Sequence, residues 1–238
     1  MKSKIESSFG ARLRRAEDAL KMISGWTHYD PPREEEQFTA LTALVSDIRR
    51  ANDDEAVKHT LYTTAAATRS GVFLNNADSL RKMLARLRGA VEAVFEKNGT
   101  IALQVASAIK KLRPSAAAIL HADPAHPEEE KTMSQSQLSF GSLAKRFSDL
   151  VSNLEQSGGY SSTTPGLTLE SLRAKAAELN TVSDDTAQKL SAVIVSRNTR
   201  GGLYRDLADR LNHLKAYART FAGGRNSIEY TSLLKLKI

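Results

Sequence analysis

Two stretches of this chain, residues 8–80 and residues 139–211, match each other without a gap at a constant offset of 131 positions. Of these 73 residue pairs, 18 are identical, where chance would give about four in a repeat search of this kind. The identical pairs begin with Ser8, Phe9 and Gly10, which match Ser139, Phe140 and Gly141. So regular an offset predicts a tandem duplication. We therefore expect the same helix lengths and loop geometry in both copies.

The first copy begins with a single apolar stripe. Hydrophobic residues recur every three or four positions between residues 3 and 24, which is typical of an amphipathic helix. They are Ile5, Phe9, Leu13, Ala16, Leu20 and Ile23. The second copy repeats the stripe with Phe140, Ala144, Phe147, Val151 and Leu154. A loop follows in both copies, over residues 25–32 and 157–164.

A second apolar stripe follows each loop. It consists of Phe38, Leu41, Val45, Ile48 and Ala51 in the first copy, and of Leu169, Leu172, Ala176, Leu179 and Val182 in the second. The acidic pairs Asp53-Asp54 and Asp184-Asp185 come directly afterwards. Their simplest interpretation is a helix start, because carboxylates there accept bonds from free backbone amides and meet the positive end of the helix dipole. The sequence leaves open whether each second helix is continuous or restarts at these pairs.

The third stripe has the most regular spacing. Its apolar residues alternate spacings of four and three, a seven-residue repeat that favours near-antiparallel packing. They are Phe73, Ala77, Leu80, Leu84, Leu87, Val91 and Val94 in the first copy, and Tyr204, Leu207, Leu211, Leu214, Ala218 and Phe221 in the second. No alternating strand pattern occurs. The patterns predict an all-α, up-and-down helical bundle of two tandem three-helix repeats related by a pseudo-twofold axis.

The prolines indicate where the copies are joined. Pro114, Pro124 and Pro127 lie between the copies. The other three lie in the loops before the second helices, where proline suits a first helical turn. We predict a helical repeat over residues 1–111, a proline-containing linker over residues 112–131, and a second repeat over residues 132–238.

Composition argues against several classes of protein. The chain has no cysteine, which excludes disulfides and thiolate chemistry. It has no run of about 18 apolar residues, so a membrane-spanning helix is not expected. The start, Met1-Lys2-Ser3-Lys4, is not followed by the apolar segment of a secretory signal. We therefore expect a cytoplasmic protein, with export by a non-classical route as the alternative.

No catalytic or metal-binding motif stands out. Glu55 and His59 are four residues apart on one helical face, but the matching positions hold Thr186 and Leu190, so a symmetric metal site is absent. Three other histidines lack a repeated ligand or lie in the linker: His213, His121 and His126. The chain has no Gly-x-Ser-x-Gly elbow and no phosphate-binding glycine loop. We predict no enzymatic activity, no metal and no cofactor.

Residues that are identical in the two copies are the candidates for a repeated interaction. They are Arg69, Arg200, Asp78, Asp209, Tyr29 and Tyr160. The arginine and aspartate of each copy either form an ion pair between helices or contribute to a surface that binds the next subunit. Gly71 and Gly202 predict a bend or a close approach of two helices. A purely structural role is the alternative at all these positions.

Two basic bands accompany the third stripe. They consist of Arg81, Lys82, Arg86 and Arg88 in the first copy, and of Arg205, Arg210, Lys215 and Arg219 in the second. The net charge is +7 and is spread over both copies, so these bands are candidates for binding anions such as nucleic-acid phosphates. Aromatic residues make up only 6% of the chain, so base stacking and sequence preference are not expected. Solubility alone is the alternative explanation of the charge.

The second copy also carries a series of short polar and aromatic motifs. It opens on Ser134-Gln135-Ser136-Gln137-Leu138-Ser139-Phe140. The later motifs are Arg197-Asn198 with Leu203-Tyr204, Lys215-Ala216-Tyr217, Phe221-Ala222, and Ser227-Ile228-Glu229-Tyr230. Together they resemble a group of all-helical proteins from Bacteroidetes-type bacteria, which has Gly in place of Ala222 and two residues fewer between Arg-Asn and Leu-Tyr. The resemblance implies an all-helical, non-enzymatic protein and adds no catalytic residue.

These observations favour a non-enzymatic, self-associating structural protein, such as a filament, shell or scaffold subunit. A duplicated chain presents two similar faces, which allow repeating head-to-tail contacts, so the expected partner is the chain itself. The alternative is a basic helical protein that binds nucleic acid or anionic surfaces without sequence specificity. A bundle that opens onto membranes is a third hypothesis, although no unusually apolar hairpin is present.

Overall fold

A computed structural model describes residues 8–112 and 130–236, without the side chains of residues 130–139. All regular structure in these ranges is helical and no strand occurs in them, which confirms the predicted all-α class. The helices are α1 (Phe9–Ser24), α2 (Phe38–Ser70), α3 (Leu80–Val94), α4 (Thr100–Leu112), α5 (Glu130–Gln156), α6 (Leu169–Ala218) and α7 (Ile228–Lys235). None of the described helices is long and apolar enough to cross a bilayer.

Helix α1 begins at Phe9 because Ser8 caps it. The Ser8 hydroxyl accepts a hydrogen bond from the Ala11 amide at 3.2 Å, which satisfies one of the free amides of the first turn. The helix ends at Ser24, as the apolar stripe predicts. Residues 3–7 of the predicted first helix lie outside the described residues, as do Pro114, Pro124 and Pro127 of the predicted linker.

The second predicted helix of each copy is continuous through its acidic pair. Asp53-Asp54 lies inside α2 and Asp184-Asp185 lies inside α6, so the interpretation of these pairs as helix starts is wrong. The helices continue through these pairs because each second aspartate binds a lysine one turn later. Asp54 pairs with Lys58 and Asp185 pairs with Lys189, both at 2.7 Å. Acid–base pairs four residues apart stabilise a helix interior.

The third predicted helix of the first copy is interrupted, which corrects the expectation of equal helix lengths. A π-helical turn, Gly71–Asn75, follows α2, and α3 begins only at Leu80. The Asn76 amide donates to the carbonyl oxygen of Gly71 at 2.9 Å, and the Ser79 hydroxyl donates to that of Leu74 at 3.2 Å. These bonds satisfy backbone groups that the interrupted helix would otherwise leave unpaired.

The second copy has no such break. Leu207 and Arg210 stand where the first copy has Asn76 and Ser79. The Arg210 guanidinium donates to both carboxylate oxygens of Asp206, one turn earlier, at 2.9 and 2.8 Å. The second and third predicted helices of this copy are therefore a single helix, α6, of 50 residues.

The chain folds into two compact units, and this division differs from the predicted boundaries at residues 1–111 and 132–238. Unit 1 comprises Met1–Lys58 and Ala192–Ile238, and unit 2 comprises His59–Ser191. Helices α2 and α6 each contribute residues to both units. Each unit thus contains the beginning of one predicted copy and the end of the other.

Each unit has its own hydrophobic core. In unit 1, α1 packs against α7, and the core residues with the least exposure include Ile23, Leu41, Ile48, Tyr204 and Leu233. In unit 2, α4 packs against both α3 and α5, and the corresponding residues include Leu84, Leu87, Ala144, Phe147 and Leu172. Most of these side chains belong to the stripes that the sequence predicts.

Candidate functional site

An arginine of α6 lies over the aromatic ring of the first residue of α1 in unit 1. The Arg200 guanidinium carbon is 3.9 Å from the centroid of the Phe9 ring, and that centroid is 5.1 Å from the centroid of Tyr204. The Tyr204 hydroxyl donates to the carbonyl oxygen of Phe9 at 2.6 Å and accepts a hydrogen bond from the Asn52 amide at 3.0 Å. These contacts tie α1, α2 and α6 together at one level.

Glu55 compensates the charge of Arg200. Its carboxylate accepts from Arg200 Nη1 at 2.8 Å and from Arg197 Nε at 2.9 Å, and the Glu55 side chain is largely buried. A buried carboxylate requires such partners, because losing its hydration costs on the order of several kcal/mol. The interaction identifies Glu55 as part of a charge network rather than as the metal ligand considered with His59.

Unit 2 contains the matching arrangement with one component missing. The Arg69 guanidinium carbon is 4.5 Å from the centroid of the Phe140 ring, and the Phe73 and Phe140 centroids are 4.8 Å apart. Thr186 occupies the position that matches Glu55, and its hydroxyl donates to the carbonyl oxygen of Val182 at 2.7 Å.

Arg69 is buried without a carboxylate partner in the part of the chain that the structure describes. Only 3% of its surface is exposed, and its Nε makes no hydrogen bond in that part. Burial lowers the pKa of Arg69 below its ordinary value, and the nearby Tyr62 opposes this change. Unit 2 has thus kept the contact between arginine and ring but not the charge compensation of unit 1.

The predicted arginine–aspartate pairs do not form. Asp78 lies 3.5 Å from Lys175 Nζ, which also pairs with Glu178 at 2.8 Å. Arg200 pairs with Glu55, as described, and Asp209 is exposed. The prediction of an ion pair is therefore wrong in both copies. The two arginines pack inside their units, so they are not positioned on an open surface.

Tyr29 and Tyr160 make the same hydrogen bond in the two units. Each hydroxyl donates to the carbonyl oxygen seven residues later, that of Glu36 for Tyr29 and that of Leu167, at 2.8 Å, for Tyr160. Burial raises the pKa of both phenols, and at Tyr29 the negative charge of Glu36 adds to it. These bonds close the loop before the second helix, so both hydroxyls are engaged within the chain.

Four aromatic side chains of unit 1 form a cluster that we call the aromatic quartet: Trp26, Tyr29, Tyr217 and Phe221. Consecutive ring centroids are 5.8, 6.0, 5.2 and 5.5 Å apart around the quartet, and the rings meet at angles of 67–81°. The Tyr217 hydroxyl donates to the His28 carbonyl oxygen at 3.0 Å and accepts from the Asp30 amide at 2.9 Å. All four side chains are partly exposed.

Glu36 lies next to this quartet and is the least exposed carboxylate among the described residues, at 2%. Its Oε1 is 3.0 Å from His213 Nδ1 and 3.8 Å from Arg33 Nε. Unit 2 has the apolar Leu167 at the matching position. Sequence reasoning missed Glu36 because it lies in a run of three glutamates, and its partner His213 is far away in the sequence. The sequence did contain a signal for Glu36: the other copy has the apolar Leu167 at the matching position, which indicates that this position is buried.

Several residues of the basic bands form ion pairs or hydrogen bonds within the chain. Arg88 pairs with Glu92 at 2.9 Å, and Arg86 Nη2 donates to the carbonyl oxygen of Pro165 at 2.9 Å. Arg210 binds Asp206, as described above. The exposed members are Arg81, Lys82, Arg86, Arg88, Arg205 and Arg219, whereas Arg210 and Lys215 are half-buried. No group of three potential metal ligands occurs among the described residues, and His121 and His126 lie outside them.

In the part of the chain that the structure describes, unit 1 also exposes five large aliphatic side chains, Val57, Ile194, Val195, Ile228 and Leu234. We call the three on the long helices the apolar patch: Val57 of α2 is 59% exposed, and Ile194 and Val195 of α6 are 42% and 58% exposed. Val57 follows Glu55 by two residues and Val195 precedes Arg197 by two. Because Glu55 binds Arg197, the three residues lie at a similar level along their helices, within about one helical turn of that ion pair.

Comparison of the chain with models of known protein families, with curated proteins and with solved structures finds no match.

Proposed function

We propose that this protein is a non-enzymatic scaffold subunit that self-associates through the apolar patch of unit 1. The observation that carries the proposal is the exposure of Val57, Ile194 and Val195 on two long helices. A contiguous exposed apolar patch marks a surface that another protein covers, and we infer that these three side chains form one. The chain carries a net charge of +7, so two copies repel each other over most of their surfaces.

Charge compensation around the patch supports contact with a second copy. Two ion pairs within the chain lie next to it, Lys58 with Asp54 at 2.7 Å and Arg197 with Glu55 at 2.9 Å. Contact between two such patches therefore leaves these charges compensated. Exposed arginines support the alternative of nucleic-acid binding less well, because several basic-band residues are bonded within the chain.

The patch belongs to unit 1 alone, which favours a closed dimer over a filament. The positions that match Val57, Ile194 and Val195 hold Gln188, Thr63 and Thr64. A surface that occurs once per chain can meet itself across a twofold axis and then leaves no complementary face free. An open polymer requires two different complementary surfaces on each subunit.

The matching residues supply the test. The variant Val57→Gln/Ile194→Thr/Val195→Thr carries at each position the residue that the other copy already has on a helix. We expect the unchanged protein to be a dimer at about 100 µM by light scattering, since Kd values near the micromolar range suffice for this. The variant should be a monomer with the same helical content. A monomeric unchanged protein, or a variant that remains dimeric, would contradict the proposal.

We also propose that the chain is a tandem duplication whose two copies exchange halves. The ring–arginine contact of unit 1 joins Phe9 to Arg200, and that of unit 2 joins Phe140 to Arg69, so both contacts link different copies at matching positions. A second matched contact, which lies within each copy, supports the duplication. Arg49 binds Glu17 at 2.5 Å in unit 1, and at the matching positions of unit 2 Asn180 donates to Ser148 at 3.3 Å. A pseudo-twofold relation between the copies follows from this proposal.

Cleavage between the copies tests the exchange. A recognition sequence for a specific protease is inserted between Pro114 and Pro124, and the protein is cut in the background of the patch variant. Each unit needs both fragments, so we expect the fragments to co-elute at the mass of one chain and to unfold together, at a lower urea concentration than the uncut protein because unfolding now separates them. Fragments that separate without denaturant would contradict the exchange.

A further inference from the structure

We propose that the aromatic quartet of unit 1 binds a methylated or quaternary ammonium group. The four rings form a closed cycle, because each ring contacts two others at centroid distances between 5.2 and 6.0 Å. Neighbouring rings meet nearly at right angles, as the walls of a box do. The centre of a square of this size is about 4 Å from each ring centroid, which is within the range of a cation–π contact.

The quartet differs from Phe9, Tyr204 and Tyr230 of unit 1 in having no cation of its own among the described residues. In the described part of the chain, guanidinium groups lie over Phe9, Tyr204 and Tyr230, but none lies over a quartet ring. An external cation therefore competes with no guanidinium at the quartet, and the partial exposure of all four side chains gives access to it.

The hydroxyl groups of the quartet select the kind of cation. The Tyr29 hydroxyl donates to the Glu36 carbonyl oxygen, and the Tyr217 hydroxyl both donates and accepts within the loop that contains His28 and Asp30. A lysine ammonium needs acceptors for its three N–H groups, which these engaged hydroxyls supply poorly. A methylated ammonium needs ring faces only, and such faces are the recognised binding surface for quaternary ammonium ligands.

The electrostatic surroundings of the quartet also favour a cation. Residues 28–37 contain one arginine against four carboxylates, whereas the whole chain is basic. The carboxylates are Asp30, Glu34, Glu35 and Glu36. The basic side chains that face them are Arg33, His213 and Arg210, and the Arg210 guanidinium is already bound to Asp206. Negative charge close to Tyr29 is also one reason why the pKa of this phenol is raised.

Trp26 provides the measurement, because it is the only tryptophan of the chain. The full-length protein is titrated with tetramethylammonium chloride, and sodium chloride at equal ionic strength serves as the control. We expect a saturable change in tryptophan emission with a dissociation constant of about 1 mM, as a few cation–π contacts would give. The same response in sodium chloride, or no response to either salt, would overturn the proposal.

Two matched variants keep the test specific. Phe221→Leu retains an apolar side chain but removes one wall, and we expect its affinity to fall about tenfold. Phe38→Leu makes the same change outside the quartet, at the position that matches Leu169, and should bind as the unchanged protein does. Thermal unfolding by circular dichroism verifies that both variants fold. A saturable response that Phe221→Leu leaves unchanged would also overturn the proposal.

Further titrations distinguish the source of the ammonium group. Choline represents a free small molecule, and an Nε-trimethyllysine peptide represents a modified protein, with the unmethylated peptide as its control. Binding of choline or of the trimethylated peptide, without binding of the unmethylated peptide, is the expected result. The monomeric variant of the apolar patch should bind equally well, so failure of the dimer proposal leaves this one testable.

Discussion

Units 1 and 2 place an arginine over an aromatic ring at matching positions, but they treat its charge differently. In unit 1, Glu55 binds both Arg200 and Arg197. In unit 2, Thr186 stands in place of Glu55, and Arg69 has no carboxylate partner among the described residues. The packing of a guanidinium on a ring thus occurs in both units, whereas its ion pair occurs in unit 1 alone among the described residues. We conclude that the stacking contact, rather than the salt bridge, is the common structural requirement.

Loss of the Glu55 carboxylate should have the largest effect on stability. Glu55→Thr gives unit 1 the residue that unit 2 has, but it leaves two arginines without their partner. We expect the free energy of unfolding in urea to fall by about 3 kcal/mol, as when one member of a buried pair is removed. The double variant Glu55→Thr/Arg197→Ala also copies Ala66 of unit 2 and should recover part of the loss. An equal loss in both variants would show that the second arginine is not the cause.

Replacement of the two stacked arginines should have the second-largest effect on stability, and this effect should differ between the two units. Arg200→Met should cost about 2 kcal/mol, because Glu55 keeps only Arg197 as its partner. Arg69→Met should remain within about 1 kcal/mol of the unchanged protein, because methionine retains the packing stem and no carboxylate is left unpaired. Both values come from urea unfolding. Equal losses at the two positions would contradict the conclusion that only unit 1 depends on the ion pair.

Alkaline pH should distinguish the two loop tyrosines. Tyr29→Phe and Tyr160→Phe should each cost about 1 kcal/mol at pH 7, the contribution of one hydrogen bond. The folded-state pKa of each phenol is raised, so its contribution is fully present below about pH 10 and is lost as the pH rises through the folded-state pKa.

The two positions should differ in where this loss occurs. At Tyr29 the charges of Glu36 and Tyr217 add to the effect of burial, whereas at Tyr160 a hydrogen bond with Ser162 opposes it. Stability measured against pH should therefore lose the Tyr160 contribution at lower pH than the Tyr29 contribution. The reverse order would show that Glu36 carries no charge near Tyr29.

The matched glycines should show the smallest difference. A Cβ added at Gly202 meets no atom within 4 Å, so Gly202→Ala should stabilise α6 by about 0.5–1 kcal/mol. A Cβ at Gly71 would lie 2.8 Å from Asn76 Oδ1, so that side chain has to rotate and Gly71→Ala should gain less. The melting temperature of each variant, compared with that of the unchanged protein, measures the two changes in stability. A larger gain at Gly71 would exclude the close approach to Asn76.

Apolar periodicity was sufficient to predict the helical class and several helix ends. The stripes beginning at Phe38 and Leu169 mark the first residues of α2 and α6, and the first stripe ends with α1 at Ser24. The break between α2 and α3 could not be predicted in this way, because the spacing of Phe73, Ala77 and Leu80 is the same in a continuous helix. Ala77 is in fact exposed, and local hydrogen bonds of Asn76 and Ser79 determine the break.

The polar contacts of the candidate site could not be predicted from spacing, because they join distant parts of the chain. Glu55 binds residues 142 and 145 positions later, and Arg33 contacts His213 over 180 positions. The internal sequence match suggested that identical residues would matter most. In the structure, the informative positions include those that differ between the copies, such as Glu55 against Thr186 and Glu36 against Leu167.

The discontinuity of unit 1 sets an order of events during synthesis. Unit 2 is one uninterrupted segment and is complete once residue 191 has left the ribosome, whereas residues 1–58 still lack their partners from residue 192 onward. Domains generally fold as their chain emerges. The apolar faces of α1 and of the first part of α2 are therefore exposed in the nascent chain until residues 192–238 have been synthesised. Chaperone demand, and aggregation when synthesis stalls, should concentrate at this N-terminal segment.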